Sequence, residues 1–153
     1  MKSKWLVLTA LVILTSGMPA FAEEKKEAKP GAANVEAGPR KGRMLGDTGG
    51  EFFVEKDGTV SVIFYDKDKK VIAPSDESVN VIATKDGKQT KLVLEPKGNS
   101  LVSKSKLPEG EGFPIAVQVK KGEGKPRNVR FTLELYTCKE CSNPEYACTC
   151  ADH

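Results

Sequence analysis

Apolar and polar residues alternate through most of the chain after residue 42, and this period of two constrains the fold more than any other feature. In Thr59–Tyr65, for example, Val60, Val62 and Phe64 fall on one side of an extended chain. The pattern recurs in residues 79–84, 90–95, 114–121 and 127–136. Strands with this pattern bury one face and expose the other, which is typical of antiparallel sheets.

Asp-Gly pairs separate the alternating segments and predict tight hairpins. Asp57-Gly58 lies between two such segments and Asp86-Gly87 between two more. Both residue types tolerate the positive φ that short hairpin turns require. With about seven or eight short strands and no amphipathic helix, we predict an all-β fold, an immunoglobulin-like antiparallel β-sandwich. An up-and-down barrel is the alternative.

The first 22 residues have the organisation of a signal peptide. Lys2 and Lys4 precede an apolar run from Trp5 to Leu14, and Ala20-Phe21-Ala22 supplies small side chains at a cleavage site. The run is too short to cross about 30 Å of hydrocarbon as a helix. We therefore expect cleavage after Ala22, a periplasmic or secreted protein, and no membrane insertion of the mature chain.

Composition divides the remainder of the chain into three parts. Residues 23–42 carry charge, Ala, Gly and Pro with almost no large apolar side chain, which predicts a flexible leader. Residues 43–136 form the predicted β-sandwich domain and residues 137–153 a cysteine-rich tail. The formal charge of +3 falls to +1 without the two lysines of the signal peptide. Because the charges of both signs are interspersed, we expect no nucleic-acid partner.

The tail contains all four cysteines within 13 residues, in the spacing C-x2-C-x6-C-x-C, and ends with the only histidine. These candidate ligands are Cys138, Cys141, Cys148, Cys150 and His153. Two close pairs of thiolates can converge on one ion with the tetrahedral geometry that zinc and Cu(I) accept, and the histidine could replace one sulfur. The spacing predicts a small cysteine knuckle that follows the last strand and lies outside the core.

Two disulfides are the alternative use of the same cysteines, because exported proteins meet oxidising conditions. A bond between Cys148 and Cys150 would be strained, since side chains two apart in an extended segment point to opposite sides. Two pairings remain open: 138–148 with 141–150, or 138–150 with 141–148. A thioredoxin-like redox role is less well supported because its C-x2-C pair belongs at a helix N-terminus.

With its only histidine at position 153, the chain cannot build a multi-histidine metal site, and its sequence does not favour a Ser-His-Asp triad. An enzyme is therefore not supported. We expect a non-enzymatic protein that binds zinc or copper through the cysteine knuckle. The rival expectation is a disulfide-stapled interaction or structural module.

Two stretches resemble known exported domains. Gly42-Arg43-Met44-Leu45, followed by Glu51–Glu55 and Val60–Tyr65, is similar to a domain of periplasmic adaptor subunits in heavy-metal efflux pumps. Ser103–Gly110, leading into Pro114–Lys121, resembles the last hairpin of exported immunoglobulin-like modules associated with copper. The resemblance implies an immunoglobulin-like fold, a periplasmic location, and a component of a metal-efflux system as partner. An accessory role in metal efflux or resistance is the expectation that follows.

Overall fold

The computed structural model describes residues 35–150, which form an all-β fold of nine strands and two 3-10 helices of three residues each. The predicted signal peptide, residues 23–34 of the predicted leader, and His153 lie outside the described residues. The strands are β1 (Arg43–Met44), β2 (Gly50–Val54), β3 (Val60–Tyr65), β4 (Val71–Ile72), β5 (Glu77–Lys85), β6 (Lys88–Lys97), β7 (Ser100–Ser103), β8 (Phe113–Lys121) and β9 (Arg127–Leu133). The 3-10 helices are Gly46–Thr48 and Glu145–Ala147. Between residues 35 and 150 there is no helix with the length and hydrophobicity to cross a bilayer.

All strand pairs are antiparallel, and their order across the sheet is β1-β2-β3-β7-β6-β5-β8-β9, with β4 paired to β3. Strands β5, β6 and β7 are successive neighbours and β8 returns beside β5, which is a Greek key. Residues 88–93 of β6 pair with β5, whereas residues 94–97 pair with β7. This long strand therefore joins the two halves of a sheet that curls on itself. The prediction of an antiparallel all-β fold is confirmed.

Both predicted Asp-Gly hairpins are present. Asp57-Gly58 connects β2 to β3, and Gly58 has φ of 84°. Asp86-Gly87 connects β5 to β6, with φ of 51° at Asp86 and 74° at Gly87. These left-handed conformations match the twist of the flanking strands, and they fix the register that sends alternate residues inward.

The alternating residues fill the inside of the curled sheet. The apolar positions on β3, β5, β8 and β9 that are at most 4% exposed are Val60, Val62, Phe64, Val79, Val81, Ala83, Phe113, Ile115, Val117, Val119, Phe131 and Leu133. Phe52 of β2 and Phe131 of β9 meet edge to face, with ring centroids 5.2 Å apart. Because these strands lie near opposite ends of the strand order, their contact shows that the two ends of the sheet face each other across one core.

Residues 36–42 pack against β1, β2 and β3. Ala37 forms a bridge with Arg43, and the Gly42 N–H donates to the Glu51 carboxylate at 2.7 Å. The same carboxylate accepts the Tyr65 hydroxyl at 2.6 Å, and only 1% of Glu51 is exposed. The part of the predicted leader that the structure describes is therefore attached to the sheet through a buried acidic residue.

The last predicted strand, residues 127–136, is wrong at its end. Strand β9 stops at Leu133, and Leu135, which the alternation assigns to the core, is 43% exposed. The Leu135 N–H donates to the Glu111 carboxylate at 2.8 Å and takes no part in a strand ladder. The chain thus leaves the sheet before Tyr136 and enters the cysteine segment.

Candidate metal centre

The first cysteine pair is presented by a tight turn that follows β9. The Ser142 N–H donates to the Cys138 carbonyl at 3.0 Å, and the Cys138 N–H donates to the Asn143 carbonyl at 2.8 Å. Ser142 has φ of 56°, a left-handed conformation that is uncommon for a residue with a side chain. This conformation reverses the chain directly after Cys141. The reversal lets both sulfurs of the C-x2-C pair face the same side.

The second pair lies on an extended segment after the 3-10 helix Glu145–Ala147. Cys148 has φ of −65° and ψ of 135°, and its N–H donates to the Glu145 carbonyl. The Cys150 N–H points back to the Cys148 sulfur at a nitrogen–sulfur distance of 3.4 Å. The segment therefore folds around its own first sulfur, which offsets the tendency of side chains two apart to point in opposite directions.

The four sulfurs converge. All four lie within 4.8 Å of one another. The Cys138 and Cys150 sulfurs are 3.8 Å apart, and those of Cys141 and Cys148 are 3.7 Å apart. Among these described cysteines no pair lies at disulfide distance, which is about 2.05 Å. The four predicted cysteine ligands are thus brought together, and they form a cluster that could hold a metal ion.

Local hydrogen bonds and burial act on the thiols in opposite directions. Backbone N–H groups of Thr149 and Asn143 donate to the Cys141 sulfur and lower the pKa of its thiol. Burial raises the pKa of the Cys148 thiol and that of Cys150. A thiol whose pKa is raised by burial becomes a thiolate when a cation at the centre compensates its charge. Binding of a cation at the centre would therefore release protons from these thiols.

The cysteine knuckle, residues 137–150, is joined to the core, so the expectation that it lies outside the core is wrong. Cys138 is 3% exposed and Cys148 is 7% exposed. Between the two cysteine pairs, Tyr146 is 3% exposed and Ala147 is completely buried. Both belong to the same hydrophobic cluster as the strand residues. The tail thus contributes two residues to the core of the domain.

Tyr146 is the residue of this region that the spacing of the cysteines does not reveal. Its ring packs on Phe131, and its backbone carbonyl accepts the Arg43 guanidinium at 2.9 Å. The sequence signal for its burial was the Tyr146-Ala147 pair, the only two adjacent apolar residues between Cys141 and Cys148. His153, the fifth predicted ligand, lies outside the described residues.

Comparison with protein-family models, with curated proteins and with solved structures gives no match for this chain. The geometry of the cysteine cluster therefore carries the functional interpretation.

Proposed function

We propose that the protein binds one soft metal ion, zinc or Cu(I), through the thiolates of Cys138, Cys141, Cys148 and Cys150. Sulfur ligands favour zinc, copper and iron over the hard cations calcium and magnesium. The four ligands lie in a single segment of 13 residues, so one short part of the chain supplies the complete site.

The sulfur–sulfur distances carry the proposal. In a regular tetrahedron with zinc–sulfur bonds of about 2.3 Å, neighbouring sulfurs lie about 3.8 Å apart. Two of the six sulfur–sulfur distances in the cluster, 3.8 Å and 3.7 Å, match this edge, and none of the six exceeds 4.8 Å. Four protein ligands complete the coordination shell and leave no position for a substrate, which is the pattern of a structural site and not of a catalytic one. The geometry thus favours a non-enzymatic metal site.

Two disulfides would require each pair of sulfurs to close to about 2.05 Å. The nearest sulfurs, now 3.8 Å and 3.7 Å apart, would have to move together in both pairs. The present separations suit a metal ion at the centre without that rearrangement. Disulfide stapling of an interaction module is therefore the outcome against which the proposal is tested.

The location and the partner are also part of the proposal. The signal-peptide organisation of residues 1–22 supports export to the periplasm or the medium. The resemblance of residues 42–65 to a domain of heavy-metal efflux adaptors supports an accessory role in metal efflux or resistance. The same resemblance, together with the Greek key of β5 to β8, supports an immunoglobulin-like sandwich as the finer description of the curled sheet.

Thiol counting on protein isolated without oxygen tests the metal site. We expect four reactive thiols in the metal-free protein and their complete protection by one equivalent of zinc or Cu(I). Competition between the two ions identifies the preferred metal. Freshly isolated protein without reactive thiols, and lighter than the reduced chain by about 4 Da, would instead show two disulfides and contradict the proposal.

Variants locate the ligands. Cys150→Ser should weaken metal binding by at least about tenfold, because a serine hydroxyl is a harder and weaker ligand than a thiolate. Thr149→Ser is the matched control. It changes the exposed side chain next to Cys150 and keeps the backbone N–H that donates to the Cys141 sulfur. His153→Ala separates two ligand sets: a four-sulfur site retains its affinity, whereas a set in which the histidine replaces a sulfur loses it.

A further inference from the structure

One side of the curled sheet is not closed by strand pairing. Strands β1 and β2 form one end of the sheet and β9 forms the other. Among the described residues no β-bridge connects these two ends. We call the gap between them the seam. A seam of this kind exposes backbone groups and apolar side chains unless another element covers it.

The Tyr146 side chain fills the seam. Its ring stacks on Phe131 of β9, with centroids 6.2 Å apart and an angle of 26° between the planes. It also meets Phe52 of β2 edge to face, with centroids 5.7 Å apart. Aromatic pairs of this kind stabilise a contact beyond the area that they bury. One side chain of the cysteine knuckle therefore touches both ends of the sheet.

Hydrogen bonds attach the same short helix to both sides of the seam. On one side, the Tyr146 carbonyl accepts the Arg43 guanidinium of β1 at 2.9 Å, and its hydroxyl accepts the Val54 N–H at the end of β2 at 3.2 Å. On the other side, the Tyr146 N–H donates at 3.2 Å to the carbonyl of Glu134, the residue after β9. The 3-10 helix therefore bridges the two ends of the sheet where no strand does.

The bridging helix is only three residues long, and the cysteine pairs stand on both sides of it. Cys141 precedes Tyr146 by five residues and Cys148 follows it by two. A single turn of 3-10 helix has little stability of its own. A metal ion that joins the two cysteine pairs closes the loop that carries this turn. At a structural metal site, the free energy of metal binding also stabilises the folded state of the surrounding segment.

We infer that the metal is a resident structural ion whose binding holds Tyr146 in the seam and thereby connects the two ends of the curled sheet. We call this connection through Tyr146 the latch. This inference rests on the proposed metal site and assigns its role: the ion stays in the protein and is not cargo for transfer. The burial of Cys138 and Cys148 agrees with this role, because these two ligands lie against the core of the domain.

Hydrogen exchange of the reduced protein with zinc and with a chelator tests the latch. Without metal, amides in β1, β2 and β9 should exchange at least about tenfold faster, whereas β5 and β6, the middle strands of the Greek key, keep their protection. The Val54 amide is the most direct reporter because it donates to Tyr146.

Three other results of this exchange experiment would each contradict a different part of the inference. Binding of one equivalent of zinc with unchanged exchange in β1, β2 and β9 would refute the latch and leave the metal site intact. Loss of protection in every strand would replace the local latch with a general requirement for folding. Absence of zinc binding would refute the proposed function itself, and with it the latch.

Two tyrosines provide a matched pair of variants. Tyr146→Ala should still bind one equivalent of metal, but its seam should exchange at the metal-free rate even when zinc is bound. Tyr136→Ala, at a position that is 55% exposed, should behave as the wild type. If Tyr146→Ala does not fold, Tyr146→Phe gives the test: it keeps the ring contacts, and only the Val54 amide should exchange faster. Equal exchange of the Val54 amide in Tyr146→Phe and the wild type would refute the contact on which the latch depends.

Discussion

Glu51 is buried inside an all-β domain and should be essential to the packing of residues 36–42. Its carboxylate accepts the Gly42 N–H at 2.7 Å, the Arg40 N–H at 3.0 Å and the Tyr65 hydroxyl at 2.6 Å. Burial, followed by the hydrogen bond and the charge of Glu51, raises the pKa of Tyr65, so this hydroxyl remains a donor. The three donors converge on one charged group that has almost no access to water.

Replacement of Glu51 by Gln keeps the shape of the side chain and removes its charge. A hydrogen bond to a charged group contributes about 1.5–3 kcal/mol and a neutral one about 0.5–1.5 kcal/mol, so each of the three bonds loses about 1 kcal/mol. The N–H₂ of the glutamine amide would also face these donor groups, and two donors cannot form a hydrogen bond with each other. Relief of the cost of burying a charge offsets part of the loss. We expect the free energy of unfolding to fall by about 2–3 kcal/mol.

Urea unfolding followed by far-ultraviolet circular dichroism, with the metal site saturated in every sample, measures this change. Glu55→Gln is the control. Glu55 pairs with the side chain of Arg40 at 3.1 Å, but both groups are about one-third exposed, so this substitution should cost less than about 1 kcal/mol. A Glu51→Gln protein as stable as Glu55→Gln would refute the view that the buried carboxylate attaches residues 36–42 to the sheet.

Three further predictions concern the sheet and the knuckle. Gly42→Ala should destabilise the fold by about 1–3 kcal/mol in the same urea assay, because a Cβ would lie 2.3 Å from the Phe52 carbonyl; unchanged stability would refute this close approach. Ser142→Val should weaken zinc affinity in a competition titration, because a β-branched residue resists a positive φ; Ser142→Gly, which adopts this φ without strain, should bind at least as well as the wild type. Burial acts to raise the pKa of Glu77, but the Ser75 N–H and the Lys121 ammonium outweigh it, so the pKa lies below its usual 4.5. The stability that Glu77 contributes is therefore present above about pH 4.5 and is lost as the pH falls through the lowered pKa. The stability difference between wild type and Glu77→Gln should shrink over that range, and a constant difference would contradict the ion pair.

The long strands could be predicted from the sequence because their information is local. Alternation and Asp-Gly turns fix the side that faces inward and the register of each hairpin. The two-residue strands β1 and β4 are too short to show a period and were not predicted. The position of Glu51 in the interior could not be predicted either, because an acidic residue in an alternating strand is expected to face water. Its burial depends on residues 36–42, which read as a polar leader when they are considered alone.

At the candidate site, the spacing of the cysteines was sufficient to predict that the four sulfurs would meet. The spacing could not show the position of the cluster, because Tyr146 reaches Phe52 and Phe131 only after the sheet has curled. It also could not show which sulfurs would be nearest neighbours, since that depends on the reversal at Ser142 and on the extended conformation at Cys148.

X-ray absorption at the edge of the bound metal tests the central claim most directly, because it measures the number, type and distance of the ligand atoms. For zinc in the purified protein we predict a first shell of four sulfur atoms at about 2.3 Å. A shell that contains oxygen or nitrogen in place of two or more sulfurs would contradict the claim, as would reduced protein that takes up no zinc.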